Sequence, residues 1–256
     1  MSRDWSDVSF DVFLTLDRVP VLNAQPFVDE AHCQTLGERP IEPRLWLMET
    51  GFDELQAGYR CGGLPQEDFP RAAVQAAPIP RLDDLILALE AEESPPVVHL
   101  VAGFQPNVSH DPAVFAAEVL GRWALAEWAA EPPELVIVAE LPATLDAFRR
   151  VGAQRGIEVR TTLSWPRLPP AGGEAVAGVG VALGVGQGVL DPVAALEASG
   201  ADGIRLHPAI STRTDARRVA ELADHVEVGP VHRRAQVKSL SRWPVDAVLT
   251  SDPELP

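Results

Sequence analysis

The chain is poor in the residues that most often announce a function. It has two cysteines, Cys33 and Cys61, too few for a disulfide framework or a cysteine zinc site. They can pair if the fold brings them together, but free thiols in a reducing cytoplasm are the expectation. Basic residues are scarce: 21 Lys and Arg stand against 37 Asp and Glu, for a net charge of −16. That balance argues against a nucleic-acid partner, whose phosphates demand basic patches, and disfavours anionic lipid surfaces. A small phosphate-bearing ligand is not excluded, because it needs only local positive groups or helix N-termini. Long apolar runs are missing as well. The longest, Ala175 to Val185, is more than half glycine and alanine and falls short of the about 20 residues of a membrane span. The opening Met-Ser-Arg-Asp-Trp-Ser-Asp holds no apolar signal-peptide core, so a cytoplasmic location is expected.

What is present fits one large domain, residues 1–256, with 46% hydrophobic residues to build a core. Val8 to Leu14 and Val19 to Leu22 read as two strands around a polar turn at Asp17-Arg18. A Pro- and Gly-rich, loop-rich stretch follows from about 24 to 80. From there strand and helix alternate. The expected strands are 96–102, 135–139, 158–163, 178–183, 202–206, 226–229 and 246–250. Helices are expected at 112–130, 142–155, from Asp191 onward, at 212–224 and at 233–241. Alternating β and α with short connections predicts a parallel sheet, and the number of units favours a (βα) barrel over a doubly wound sheet.

The hairpin has a recognisable skeleton, Asp11-x-x-Leu-Thr-x-Asp-x-Val-Pro-Val21, followed by Asn23-Ala24-Gln25-Pro26. Further along stand Phe52-Asp-Glu-Leu-Gln-Ala-Gly-Tyr-Arg-Cys-Gly62, Ile79-Pro-Arg-Leu-Asp-Asp-Leu85, His99-Leu-Val-Ala-Gly-Phe-Gln-Pro106, Gly200-Ala-Asp-Gly-Ile-Arg-Leu-His-Pro208 and Val245-Asp-Ala-Val-Leu-Thr-Ser-Asp-Pro253. In order and spacing these segments resemble the glycerophosphodiester phosphodiesterase family over residues 8–253. The resemblance implies an α/β, TIM-type (βα) barrel of the PLC-like phosphodiesterase superfamily, with a family-type insertion at 24–90. The family's first strand, bearing a His-Arg-Gly motif, has no counterpart here, so the first βα unit is expected to be missing and the barrel edges open.

The same resemblance implies a divalent metal, Mg or Ca, held by a Glu-x-Asp pair and a later Glu, with histidines exchanging protons. Laid on this chain, the Glu falls on Ser9, the Asp on Asp11, the histidine on Ala24 and the following Asp on Gln25. The later Glu falls on Val101 and the phosphate-meeting Lys on Gly103. The family's Ser-Phe-Asp segment becomes Ala139-Glu140-Leu141, and its late Trp falls near Gly229. Asp11 is the one surviving metal ligand, and one carboxylate is a poor anchor for either ion. The expectation is therefore a family protein without metal-dependent hydrolysis and with no cofactor, holding at most a small anionic, phosphate-bearing ligand. The alternative is an active phosphoric diester hydrolase with a site rebuilt around Asp11, Glu140, His207 and His232. A second alternative is a non-enzymatic module that self-associates through open barrel edges.

Other motifs have plainer explanations. The glycines from Gly178 to Gly188 have the wrong spacing for a phosphate loop and read as strand and loop. Asp111 precedes Pro112 and reads as a helix cap beside His110. His207 and the cluster His232-Arg233-Arg234 each follow a strand, where a barrel places its ligands, although a structural role for the first and a solvated helix start for the second stand beside that reading; His32, His99 and His225 carry no spacing signal.

Overall fold

The computed structural model describes residues 6–30, 33–36, 41, 44–62, 77–103, 110–129, 131–165, 191–231 and 233–250. The chain divides into two compact units, residues 1–135 with 150–159, and residues 136–149 with 160–256.

In the first unit, β1 (Asp7–Leu14) turns back as β2 (Pro20–Leu22), antiparallel, with Val12 opposite Leu22 and Phe13 opposite Val21. The turn is polar and internally bonded. The Val19 amide donates to Oγ1 of Thr15 at 3.0 Å, and Arg18 takes a positive φ of 64°. Asp17 accepts from the Thr15 hydroxyl and from the Phe52 amide, 3.0 Å away, which ties the turn to the following insertion.

The insertion, expected as loop, is built of very short pieces. β3 (Phe27–Val28) pairs with β5 (Leu45–Trp46), and β4 (Cys33–Thr35) pairs with β6 (Tyr59–Cys61), both antiparallel. α1 (Phe52–Gly58) leads into β6, and α2 (Leu82–Glu90) ends the stretch. Phe13 and Val21 of the hairpin pack with Val28, Cys33, Ile41, Leu47, Leu55 and Ile79 in one buried cluster. The cysteines are not free thiols. Cys33 and Cys61 face each other directly in the β4–β6 ladder, with Cα atoms 4.0 Å apart, and form a disulfide.

β7 (Val97–Ala102) runs parallel to β1, in register from Asp7 with Val97 to Val12 with Ala102. α3 (Pro112–Ala124) begins as expected, with the Asp111 carboxylate accepting the Ala113 amide at 2.8 Å and Pro112 in the first turn. It ends six residues before position 130. The Leu125 amide closes onto the Arg122 and Trp123 carbonyls, and Trp128 packs back on Trp123 at 5.1 Å from beyond the helix end.

The second unit is a parallel ladder. β8 (Leu135–Ala139), β9 (Arg160–Ser164), β10 (Gly203–Leu206), β11 (His225–Val231) and β12 (Ala247–Thr250) follow one another, each beside the last. Every residue of β8 is buried, which its unbroken Leu-Val-Ile-Val-Ala run anticipates. The helices are α4 (Pro142–Arg155), α5 (Pro192–Ser199), α6 (Arg213–Val219) and α7 (Arg234–Leu240), and α4 contributes residues to both units. Asp191 caps α5 above Pro192, and Gly200 ends it with φ 57° while Arg149 donates to the Ser199 and Gly200 carbonyls. Thr212 and Asp215 form a capping box on α6. α6 stops at Val219, short of the expected 224, because the Leu222 and Ala223 amides turn onto the Val219 carbonyl. Asp224 then bonds to the Asp202 carbonyl to start β11. The expected strand at 178–183 lies outside the described residues. No helix among the described residues is long and apolar enough to cross a membrane.

Candidate functional site

Side chains alternate along a strand, so Asp7, Ser9, Asp11 and Phe13 share one face of β1. Their neighbours on β7 are Val97, His99 and Val101, with Gly103 just past its end. This is the face on which the resemblance places a metal. Ser9 is exposed, Asp11 is half-buried, and Val101 directly opposite Asp11 is buried. Among the described residues, no group of three or more His, Cys, Asp and Glu is placed to hold a metal ion.

Gly103 shows how this face is closed. Its amide donates to the Val12 carbonyl at 3.0 Å, which draws it against β1. A Cβ at this position would sit 2.1 Å from Cε1 and 2.3 Å from Cζ of Phe13. The Phe13 ring is buried and belongs to the core shared with the insertion, so no side chain fits at 103 unless that ring moves. A lysine reaching for phosphate there is incompatible with this packing.

The segment after β2 returns to the same strand. The Asn23 amide donates to the Asp11 carbonyl at 3.2 Å, and its side-chain Nδ2 donates to the Gln25 and Phe27 carbonyls at 2.6 and 3.2 Å. Asn23 thereby shapes the turn that carries Ala24, which is exposed, and Gln25, which is half-buried. Two histidines also border the hairpin. His99 is almost fully buried beside Ser9, with Nε2 3.3 Å from the Asp7 carboxylate. Nε2 of His110 lies 2.8 Å from the Thr15 carbonyl and donates to it.

In the second unit, Glu140 directly follows β8 and is half-buried. His207 directly follows β10; its Nδ1 accepts the Ala209 amide at 3.2 Å and its carbonyl accepts the Ile210 and Ser211 amides. His207 therefore organises the turn out of β10. His232 and the Gly178 to Gly188 segment lie outside the described residues. Asp11 and the Ala24 turn are brought together in the first unit, and Glu140 and His207 occupy the ends of separate strands in the second.

A charged cluster that sequence reading did not single out lies inside the second ladder. Arg205 and Glu227 are register partners on β10 and β11, and Nε of Arg205 donates to Oε2 of Glu227 at 2.7 Å. Glu227 has no exposed surface, and Arg205 is 8% exposed. Nε2 of His225 lies 3.3 Å from the other Glu227 oxygen, and its Nδ1 lies 3.7 Å from Oδ2 of Asp246. Gly203 makes the close approach possible, since a Cβ there would meet the His225 carbonyl at 2.7 Å. The available signal was a single charge in each of two apolar strands, Ile204-Arg-Leu206 and Val226-Glu-Val228.

No protein-family model matches the chain, and no curated protein does. Solved structures do. A protein from Silicibacter pomeroyi DSS-3, described as a glycerophosphoryl diester phosphodiesterase, matches 96% of this chain and 80% of its own with a TM-score of 0.77 at 19% identity. An Oleispira antarctica phosphodiesterase, in complex with the product sn-glycerol-3-phosphate, matches 96% and 80% with a TM-score of 0.65 at 13% identity. A glycerophosphodiester phosphodiesterase from Parabacteroides distasonis matches 97% and 81% with a TM-score of 0.59 at 15% identity. Identities this low speak to architecture, and the architecture they share with this chain is the α/β, TIM-type barrel of glycerophosphodiester phosphodiesterases.

Proposed function

We propose that this chain is a diverged member of the glycerophosphodiester phosphodiesterase family that has lost metal-dependent hydrolysis and keeps, at most, a site for a small phosphate-bearing ligand. The observation that carries the reading is the Phe13 ring filling the volume a side chain at Gly103 would need, next to Val101 facing Asp11. A Mg or Ca site wants several oxygen ligands; of the carboxylates the resemblance implies, the β1–β7 face keeps Asp11 alone beside the neutral hydroxyl of Ser9, and Asp7, at the start of β1, lies against His99. The donor set does not fit such an ion. Ala24 has no proton to give or take, which removes acid–base catalysis at that position as well.

The test is purified protein incubated with glycerophosphocholine and with bis(nitrophenyl) phosphate, in Mg or Ca and again in chelator. The expected result is no chelator-sensitive turnover, together with chelator-independent binding of sn-glycerol 3-phosphate, the compound bound to the Oleispira neighbour. Hydrolysis that chelator abolishes overturns the proposal. Chelator-insensitive hydrolysis that His207→Ala removes would instead support the rebuilt site around Asp11, Glu140, His207 and His232.

A further inference from the structure

Two aspartates tie the bases of neighbouring strands together in the second unit, and they differ in what stands beside them. Asp202, ahead of β10, accepts the Thr161 amide and hydroxyl of β9 at 2.7 and 2.8 Å. Asp246, ahead of β12, accepts the Val226 amide of β11 at 2.7 Å, and its own amide donates to the Val226 carbonyl at 2.8 Å. The hydroxyl that backs Asp202 does not titrate near neutrality. Asp246 is backed by an imidazole.

That imidazole stands between two carboxylates. His225 directs Nε2 toward Glu227 of its own strand and Nδ1 toward Asp246 from the α7–β12 connection. The other charges near it are Arg160 of β9 and, through Glu227, Arg205 of β10. An imidazolium presents N–H at both nitrogens, whereas the neutral ring has only one. Deprotonation therefore sets a lone pair against one of the two carboxylates. Glu227 is fully buried and held by Arg205, while the Asp246 side chain is 58% exposed and free to swing into water. Asp246 is the group that yields, and the Val226 contact goes with it.

We propose that protonated His225 latches the start of β12 onto β11, and that its deprotonation releases that strand while the Asp202 tie beside β10 holds. All four residues of β12 are only half-buried, so little apolar burial opposes the release. The contact with Glu227 is the main influence raising the His225 pKa above its ordinary 6.5; burial opposes it, the charges of Glu227 and Asp246 add to it, and Arg160 opposes. A raised folded-state value means that the stabilisation is complete below the unfolded value and is lost as pH rises through the folded one. The latch is thus closed in mild acid and opens on the alkaline side of the ordinary histidine range.

Amide hydrogen exchange from about pH 5.5 to about pH 8.5, a span that brackets histidine titration, tests this on the intact protein after correction for intrinsic rates. Protection of residues 247–250 should fall severalfold with rising pH, while residues 203–206 serve as the internal reference and hold theirs. The fall should track the NMR titration of the His225 ring. His225→Gln and Asp246→Asn, the latter keeping an oxygen for the Val226 amide, should each flatten the pH response. Protection of β12 that stays constant while the ring titrates overturns the proposal, as does a ring that titrates below 6.5. Both of those readouts come from the wild-type protein, so they stand even if a variant fails to fold.

Discussion

The β1–β7 face and the β10–β11 face are both strand surfaces of one chain, and they hold charge at different places: the first at its start, where buried His99 lies against Asp7, the second where its two strands meet in register. On the first, Ser9, Val101 and Gly103 stand where the resemblance places carboxylates and a lysine, and a phenylalanine ring takes up the space at 103. On the second, Arg205 and Glu227 are charged and buried, and the half-buried His225 stands beside them. Burying an ion costs several kcal/mol unless a well-aligned partner compensates. The uncharged Ser9, Val101 and Gly103 are therefore not part of a general drift toward apolar interiors. On both faces buried charge stands where a partner satisfies it, and of the metal positions the resemblance implies only Asp11 carries charge.

The sharpest way to break this contrast is to remove one charge from the second face. Arg205→Ala leaves buried Glu227 without its guanidinium partner, and the free energy of unfolding should fall by about 3–5 kcal/mol. The double substitution Arg205→Met with Glu227→Leu should recover most of that loss, because apolar pairs of similar volume often replace buried ion pairs at little cost. Ser9→Ala, at an exposed position of the first face, should shift stability by roughly 0.5 kcal/mol at most. Denaturant melts of the three variants measure the difference. An Arg205→Ala protein as stable as wild type would erase the comparison.

The next effect is covalent. The first unit holds its short-stranded insertion with the Cys33–Cys61 bridge, which closes a sequence separation of 28. By the loop-entropy estimate such a bridge is worth about 3–4 kcal/mol. Reduction by a dithiol, or Cys33→Ser with Cys61→Ser, should lower stability by about that much. Exchange protection should drop in residues 33–36 and 59–61 and not in β8 to β12. Equal loss in both places would mean that the two regions are stabilised as one.

Much of the barrel was legible because parallel strands are continuous apolar runs and because helix starts carry side-chain signals. Leu135 to Ala139 shows the first; Asp111-Pro112, Asp191-Pro192 and Thr212 show the second. The insertion was not, since strands of two or three residues such as Phe27–Val28 and Leu45–Trp46 are too short to show a period. The disulfide was hidden for a related reason: whether Cys33 meets Cys61 depends on a ladder whose register no local pattern announces. The uncharged positions Ser9, Val101 and Gly103 could be found by resemblance, but the reason Gly103 has no room for a side chain lies in Phe13, ninety residues away. Arg205, Glu227 and His225 escaped notice because only the β10–β11 register brings them together.

A smaller effect tests the first face directly. Gly103→Ala sets a methyl group on the Phe13 ring and should cost about 1–3 kcal/mol, the usual range for overpacking. Phe13→Ala combined with Gly103→Ala removes the clash at the expense of a cavity, so the two costs should not add. Additive costs in thermal or denaturant melts would show that the Phe13 ring moves aside freely. The volume at 103 would then be open to a side chain after all.

The smallest effect separates exposed from buried charge within the second unit. Asp191 caps α5 and also accepts from Arg218 at 2.8 Å, with both side chains substantially exposed. The hydrogen bond from Arg218 is the main cause that holds the Asp191 pKa below its ordinary 3.8; slight burial opposes it, and the Val193 amide and the Arg218 charge add to it. A lowered carboxylate contributes stability above its unfolded value and loses it as pH falls through the folded one. Asp191→Ala should therefore cost about 1 kcal/mol near neutrality, an ordinary cap loss, and less at a pH acid enough to protonate the carboxylate, where the charge-dependent part is gone. Arg218→Ala should leave neutral-pH stability almost unchanged, since exposed ion pairs are screened by water and salt. If Arg218→Ala instead matched Arg205→Ala, burial would not be what separates the charges this chain depends on from those it merely displays.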